Sequence, residues 1–123
     1  MARDKTLNFP KRGEIYLVNF DPTVGAEIKK TRPALILQND IANRHSPITI
    51  VAAVTSHFEE SLYPTEVLVA VGEGGMNVGS VVLLNQIRSV DKRRLIKRLG
   101  SLKPLTMEKI DRALSISLGL VAL

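Results

Sequence analysis

Along the first third of the chain, apolar and polar positions change their rhythm twice. "RGEIYLVNF", Arg12 to Phe20, alternates, and places Tyr16, Val18 and Phe20 on one face of a predicted strand. The alternation stops at "DPTVGAEIKKT", where Asp-Pro starts a turn and Gly25 permits unusual dihedrals. Eleven residues make a long connection for so short a chain, and long loops are often functional. "RPALILQ" then runs continuously apolar behind Pro33, a permitted strand-opening position for proline. "NDIANRHSP" reads as a turn, and "ITIVAAVTS", Ile48 to Ser56, as a buried strand rich in β-branched residues.

The second half continues in short segments. "HFEESLYP" reads as a loop, "TEVLVAV" as a fourth strand, "GEGGMNVG" (Gly72 to Gly79) as a flexible hairpin connector, and "SVVLLNQIRSV" as a fifth strand. Asp91 is placed to cap a short basic helical segment, "KRRLIKRLG", with Gly100 as its stop. "LTMEKIDRALSISLGL" predicts a C-terminal amphipathic helix: Ile110, Leu114, Leu118 and Val121 recur at helical spacing, and Thr106 can cap its start. Successive short strands with glycine turns, then one helix, predict a small antiparallel β-barrel.

Composition narrows the function classes. A chain of 123 residues is expected to be one domain, with residues 1–10 as a frayed, polar N-terminal segment. The absence of cysteine excludes disulfides and thiolate metal sites. "MARDKTLNFPKRGE" has no apolar signal region, and no apolar run nears the roughly 20 residues of a membrane helix, so a cytoplasmic protein is expected. Seventeen Lys and Arg against twelve Asp and Glu give a formal charge of +5, the sign expected of a nucleic-acid binder. Five of the seven residues from Lys92 to Arg98 are basic, and Lys29, Lys30 and Arg32 form a second cluster.

Most enzyme constellations fail. His45 and His57 lack metal-ligand spacing, no nucleophile elbow or phosphate loop occurs, and the adjacent Glu59 and Glu60 read as a solvated loop face. Cations, hydroxyls and a few acids are left, a set that suits phosphodiester chemistry without a metal. RNA carries its own nucleophile in the 2′-hydroxyl. The protein then has to hold the phosphate in line and stabilise charge developing on its oxygens. Arginine suits that task through its bidentate fork, and a threonine hydroxyl can orient a phosphate without being a base. From residue type alone, Arg32 is equally a strand-entry arginine on a surface carboxylate, and Thr55 an ordinary strand residue.

Four segments decide more than residue type can. "RGEIYLVNFDPTVGAE", "TRPALILQNDIANRHSP", "IVAAVTS" and "LLNQIRSVDKRRL", with the C-terminal "DRALSISLGL", resemble in order and spacing the MazF/PemK-like endoribonuclease toxins of bacterial toxin–antitoxin systems. The resemblance implies an SH3-like barrel of the CcdB/PemK type with a C-terminal helix, acting as a homodimer. It implies sequence-specific cleavage of single-stranded mRNA without metal or cofactor, and inhibition by a cognate antitoxin with an acidic tail. The family's catalytic arginine and threonine fall on Arg32 and Thr55, and its loop glutamate on Glu27. Lys29, Lys30, Asn39 and Gln86 are candidate RNA contacts, although Asn39 can equally cap its turn and Gln86 can be an edge-strand amide. Ala26 stands where the family often has serine, and Asn85 where it has glutamate. The alternative reading is a non-catalytic RNA-binding or antitoxin-binding module. A gyrase poison of the CcdB kind is disfavoured, since that activity depends on a C-terminal tryptophan that this chain lacks.

Overall fold

The computed structural model describes residues 9–22, 24–27 and 30–123. Six strands and two helices follow in order: β1 (Glu14–Asn19), β2 (Thr31–Ile36), α1 (Asp40–His45), β3 (Ile48–Thr55), β4 (Glu66–Val69), β5 (Ser80–Asp91), β6 (Leu95–Ser101) and α2 (Pro104–Ser117). The strands form one sheet in the order β4-β5-β3-β2-β1-β6, with every described pairing antiparallel.

The apolar runs of β2 and β3 have a simple cause: both strands are buried on both faces. Leu35, Ala52 and Val54 enter one cluster with Ile15 of β1, Val67 and Val69 of β4, and Ile110 and Ala113 of α2. Ala34, Ile36, Val51 and Ala53 point the other way, into a second cluster with Val18, Phe20 and Val90. Tyr16 packs against that second cluster, so the face predicted for β1 is the one observed, while Ile15 serves the opposite side.

Because Ile15 and Val67 lie far apart in sheet order yet share a core, the sheet must curl. No described ladder joins β4 to β6, so the barrel is closed by packing. The seam is a backbone contact between β6 and the turn after β4. A Cβ on Gly75 would lie 2.1 Å from the Leu99 carbonyl oxygen, and one on Gly100 would lie 2.5 Å from the carbonyl carbon of Gly74. Only glycine permits that approach. The predicted flexible connector is therefore a compact turn, with Gly74 buried in a short 3₁₀ segment.

Three further expectations are corrected. "NDIANRHSP" contains α1, started by Asn39, whose Oδ1 accepts the Ala42 N–H at 2.9 Å. Asp91 does cap a turn, accepting the Arg93 N–H at 2.8 Å, but it is a single 3₁₀ turn over Lys92–Arg94. The chain then continues as β6 along β1, because Leu95 and Leu99 pack against the two cores. Gly100 is part of the seam and not a helix stop. The C-terminal helix starts at Pro104 with Lys103 as its N-cap residue, so Thr106 lies inside it. Proline suits the first helical position, where its missing N–H would have had no partner. The helix ends at Ser117, and Gly119 adopts φ +73, which leaves Leu118 and Val121 exposed instead of in the core.

Candidate active site

The site is built on the two central strands. Ala34 lies opposite Ala53 and Leu35 opposite Ala52. Carrying that register two residues toward the start of β2 sets Arg32 opposite Thr55, on the face of the second cluster. Both side chains line one cleft of about 290 Å³, together with Pro33 and Ser56. Its far wall is the seam, with Gly75, Met76, Asn77, Val78 and Leu99. Both residues are half-buried.

The Thr55 hydroxyl accepts the His57 N–H at 3.0 Å. Its own O–H reaches the His57 carbonyl at only 3.5 Å, the outer limit of a hydrogen bond. A better acceptor in the cleft, such as a phosphate oxygen, would take that proton donor. Tyr16 is the titratable phenol on this face. Its pKa is raised, first by burial and then by the nearby Glu14 carboxylate, with Arg98 opposing. It is a poor base at neutral pH.

A smaller recess of about 130 Å³ adjoins the cleft along β3, lined by Phe20, Glu27, Ala53, Asn85, Gln86, Ile87 and Arg88. Glu27 folds back on its own loop, its Oε1 accepting the Val24 N–H at 2.6 Å. Gln86 donates from Nε2 to the Ala26 carbonyl at 3.3 Å, which fastens the loop to β5. The Arg88 guanidinium lies 5.5 Å from the Phe20 ring centroid and donates to the Phe20 carbonyl at 3.0 Å. Sequence reasoning passed over Arg88. Strand alternation gives no local signal for it, because Gln86 lies in the irregular stretch of β5 between Leu83 and Ile87.

The structure thus brings Arg32 and Thr55 together, and gathers Glu27 and Gln86 in the neighbouring recess. Lys30 stands between them in sequence at φ +64, its N–H donated to Asp21 Oδ1 at 2.8 Å. Lys29 lies outside the described residues. Asn39 caps α1 and lines neither recess. The basic run is largely structural: Lys92 donates to the Asn43 carbonyl, Arg93 pairs with Asp91 at 3.0 Å, and Arg98 with Glu14 at 3.2 Å. Tyr63 belongs to a different, apolar groove beside α2, and Phe58 lies on an exposed loop. Among the described residues, no group of three or more His, Cys, Asp or Glu is arranged to hold a metal.

A family model described as "PemK-like, MazF-like toxin of type II toxin-antitoxin system" matches residues 11–118. The chain belongs to this family. Endoribonuclease EndoA of Bacillus subtilis (strain 168) is 44% identical over 111 residues, 90% of this chain and 96% of that one. The crystal structure of MazF from Deinococcus radiodurans superimposes with a TM-score of 0.78 at 30% identity, covering 90% of this chain and 97% of that one. An endoribonuclease from a mycobacterial species, solved in complex with its cognate antitoxin, gives a TM-score of 0.76 at 27% identity, covering 93% and 99%. The span matched by the PemK/MazF family takes in every described strand and helix, and with them Glu27, Arg32, Thr55 and Gln86.

Proposed function

We propose that this PemK/MazF-family chain is a metal-independent endoribonuclease that cuts single-stranded mRNA at specific sequences. The observation that carries the reading is the shared cleft of Arg32 and Thr55, set opposite each other by the register of β2 and β3. RNA supplies the nucleophile: its 2′-hydroxyl gives up its proton to solvent as the 2′-oxygen attacks the adjacent phosphorus, and the P–O5′ bond breaks with the 5′-oxygen taking a proton from solvent. Arg32 pairs with the non-bridging oxygens, where charge builds up. Thr55 donates its weakly held O–H to one of them. Glu27 is the one carboxylate among the described residues lining the two recesses, and completes the catalytic set. Gln86 and Lys30, with Lys29, provide contacts to bases and phosphates around the cleft. Asn39 is left out, because its amide oxygen is committed to the α1 cap.

Two associations follow. A net charge of +5 favours an acidic protein partner, and the mycobacterial relative is solved with its cognate antitoxin, so this chain is expected to be neutralised in the same way. Leu68, Ile116 and Leu123 line an apolar groove of about 530 Å³ between β4 and α2, a surface that a second copy would cover in a homodimer. With mRNA as its target, the protein acts in the cytoplasm.

The test is cleavage of a long single-stranded RNA in EDTA, with end-group analysis. Products with 2′,3′-cyclic phosphate and 5′-hydroxyl ends, lost in Arg32→Ala at unchanged circular dichroism, support the mechanism. Ends of the opposite kind, or full activity in Arg32→Ala, overturn it.

A further inference from the structure

The loop between β1 and β2 is pinned by two arginines from elsewhere in the chain. Three successive carbonyls at its start, those of Asn19, Phe20 and Asp21, all accept from guanidinium groups. Arg94 donates from one nitrogen to the Asn19 carbonyl at 3.0 Å and also to the Asp21 carbonyl, while Arg88 takes the Phe20 carbonyl between them. The neck of the loop then closes across the strands. The Phe20 N–H donates to the Lys30 carbonyl at 2.8 Å, and the Lys30 N–H to Asp21 Oδ1 at 2.8 Å. Asp21 is also held by its own N–H, donated to Asn19 Oδ1 at 3.1 Å. Arg32 enters β2 two residues beyond Lys30.

We infer that Arg94 is a positioning residue: by clamping the Asn19 and Asp21 carbonyls it fixes the loop neck, and through Asp21 and Lys30 it sets the angle at which Arg32 meets the scissile phosphate. The inference rests on the proposed endoribonuclease reading and extends it to a side chain that lines neither recess.

Three observations favour this role over a plain phosphate contact. The guanidinium is already engaged with two backbone oxygens. Lys30 holds a left-handed φ, a conformation that costs a non-glycine residue energy and persists only where its surroundings impose it. Both backbone groups of Lys30 are held by residues of the clamped stretch, its N–H by Asp21 Oδ1 and its carbonyl by the Phe20 N–H. Lysine is a poor substitute, because its ammonium sits on a flexible stem with freely rotating donors, whereas the two N–H groups of the guanidinium nitrogen are held in one fixed plane.

The test compares Arg94→Ala and Arg94→Lys with Arg93→Ala, whose parent side chain points to Asp91 on the surface. Single-turnover cleavage at saturating RNA is measured beside RNA affinity over a range of salt concentrations and amide hydrogen exchange. For positioning, both Arg94 variants lose tenfold or more in the saturated rate, with affinity and its salt dependence within twofold of wild type. Exchange at the Phe20 and Lys30 amides speeds up, and Arg93→Ala changes none of these. A direct phosphate contact would give the reverse: weakened binding, a shallower salt slope and rescue by lysine. That result, or protected Phe20 and Lys30 amides in Arg94→Ala, overturns the inference. If the wild-type protein cuts no RNA, the functional reading falls, and with it the catalytic role of the clamp; the exchange data then decide only whether Arg94 holds the neck.

Discussion

Thr49 donates its hydroxyl to Asn43 Oδ1 at 2.7 Å, with both residues sealed from solvent. The same oxygen accepts Gln38 Nε2 at 3.0 Å, Asn43 Nδ2 returns to the Gln38 carbonyl at 2.8 Å, and Lys92 donates to the Asn43 backbone carbonyl. The buried Asn43 side chain thus ties α1 to β3 and to the segment after β2, while its backbone carbonyl holds the 3₁₀ turn before β6. Asn43→Ala strands the Thr49 hydroxyl and the Gln38 carbonyl, each at about 1–3 kcal/mol. A loss of about 2–4 kcal/mol is expected, seen as a lower urea midpoint at unchanged slope. Thr49→Val, which removes one partner and adds apolar surface, should cost less.

The barrel seam makes a sharper stability test. Gly75→Ala must place a Cβ at 2.1 Å from backbone at φ +78, so both overlap and a left-handed conformation count against it. About 3 kcal/mol or more should be lost. Gly79 has open space around it and no positive φ, and Gly79→Ala should stay within about 0.5 kcal/mol of wild type. Thermal unfolding of the two variants side by side checks this, and equal effects would refute a glycine-dependent seam.

In the cleft, Thr55→Val removes the hydroxyl while keeping the shape and β-propensity of the side chain. Cleavage should fall by roughly 10²-fold, the scale of one lost donor at a developing oxyanion. Thr55→Ser should retain most of the rate. The fold should hold, since only the exposed contact to His57 is lost. Rates at saturating RNA, with melting curves for each variant, separate the chemical effect from the structural one.

Acid should act on the cap before β6. Hydrogen bonds from Arg93 lower the Asp91 pKa below its ordinary value of 3.8. A carboxylate with a lowered folded-state pKa adds stability above its unfolded value, and that stability is lost as pH falls through the folded one. The difference in melting temperature between wild type and Asp91→Asn should therefore be constant at neutral pH and close only below about pH 4. The gap will be small, because the pair is on the surface. A gap that widens in acid would contradict the assignment.

How much was legible in the sequence depended on whether a residue's partners were close in the chain. β1, β2 and β3 announced themselves because alternation and continuous apolar runs report burial directly. Arg32 and Thr55 took meaning from the family pattern, and the strand register then set them face to face. β6 was hidden, since five of the seven residues from Lys92 to Arg98 are basic and its strand state comes from pairing with β1, about 80 residues earlier. α1 carries a visible signal in Asn39-Asp40, but a turn has the same signal. The role of Arg94 could not be read locally, because its acceptors lie 73 and 75 residues away.

The cleft's two walls come from separate pieces of chain. Arg32 and Thr55 sit on central strands whose neighbouring residues fill the two cores, whereas Asn77 and Val78 are exposed on a turn that is joined to the strands through buried Met76 and the glycine seam. Asn77 and Val78 can therefore drift while the chemistry stays fixed. In such a molecule, a new target sequence can evolve without reinventing the reaction.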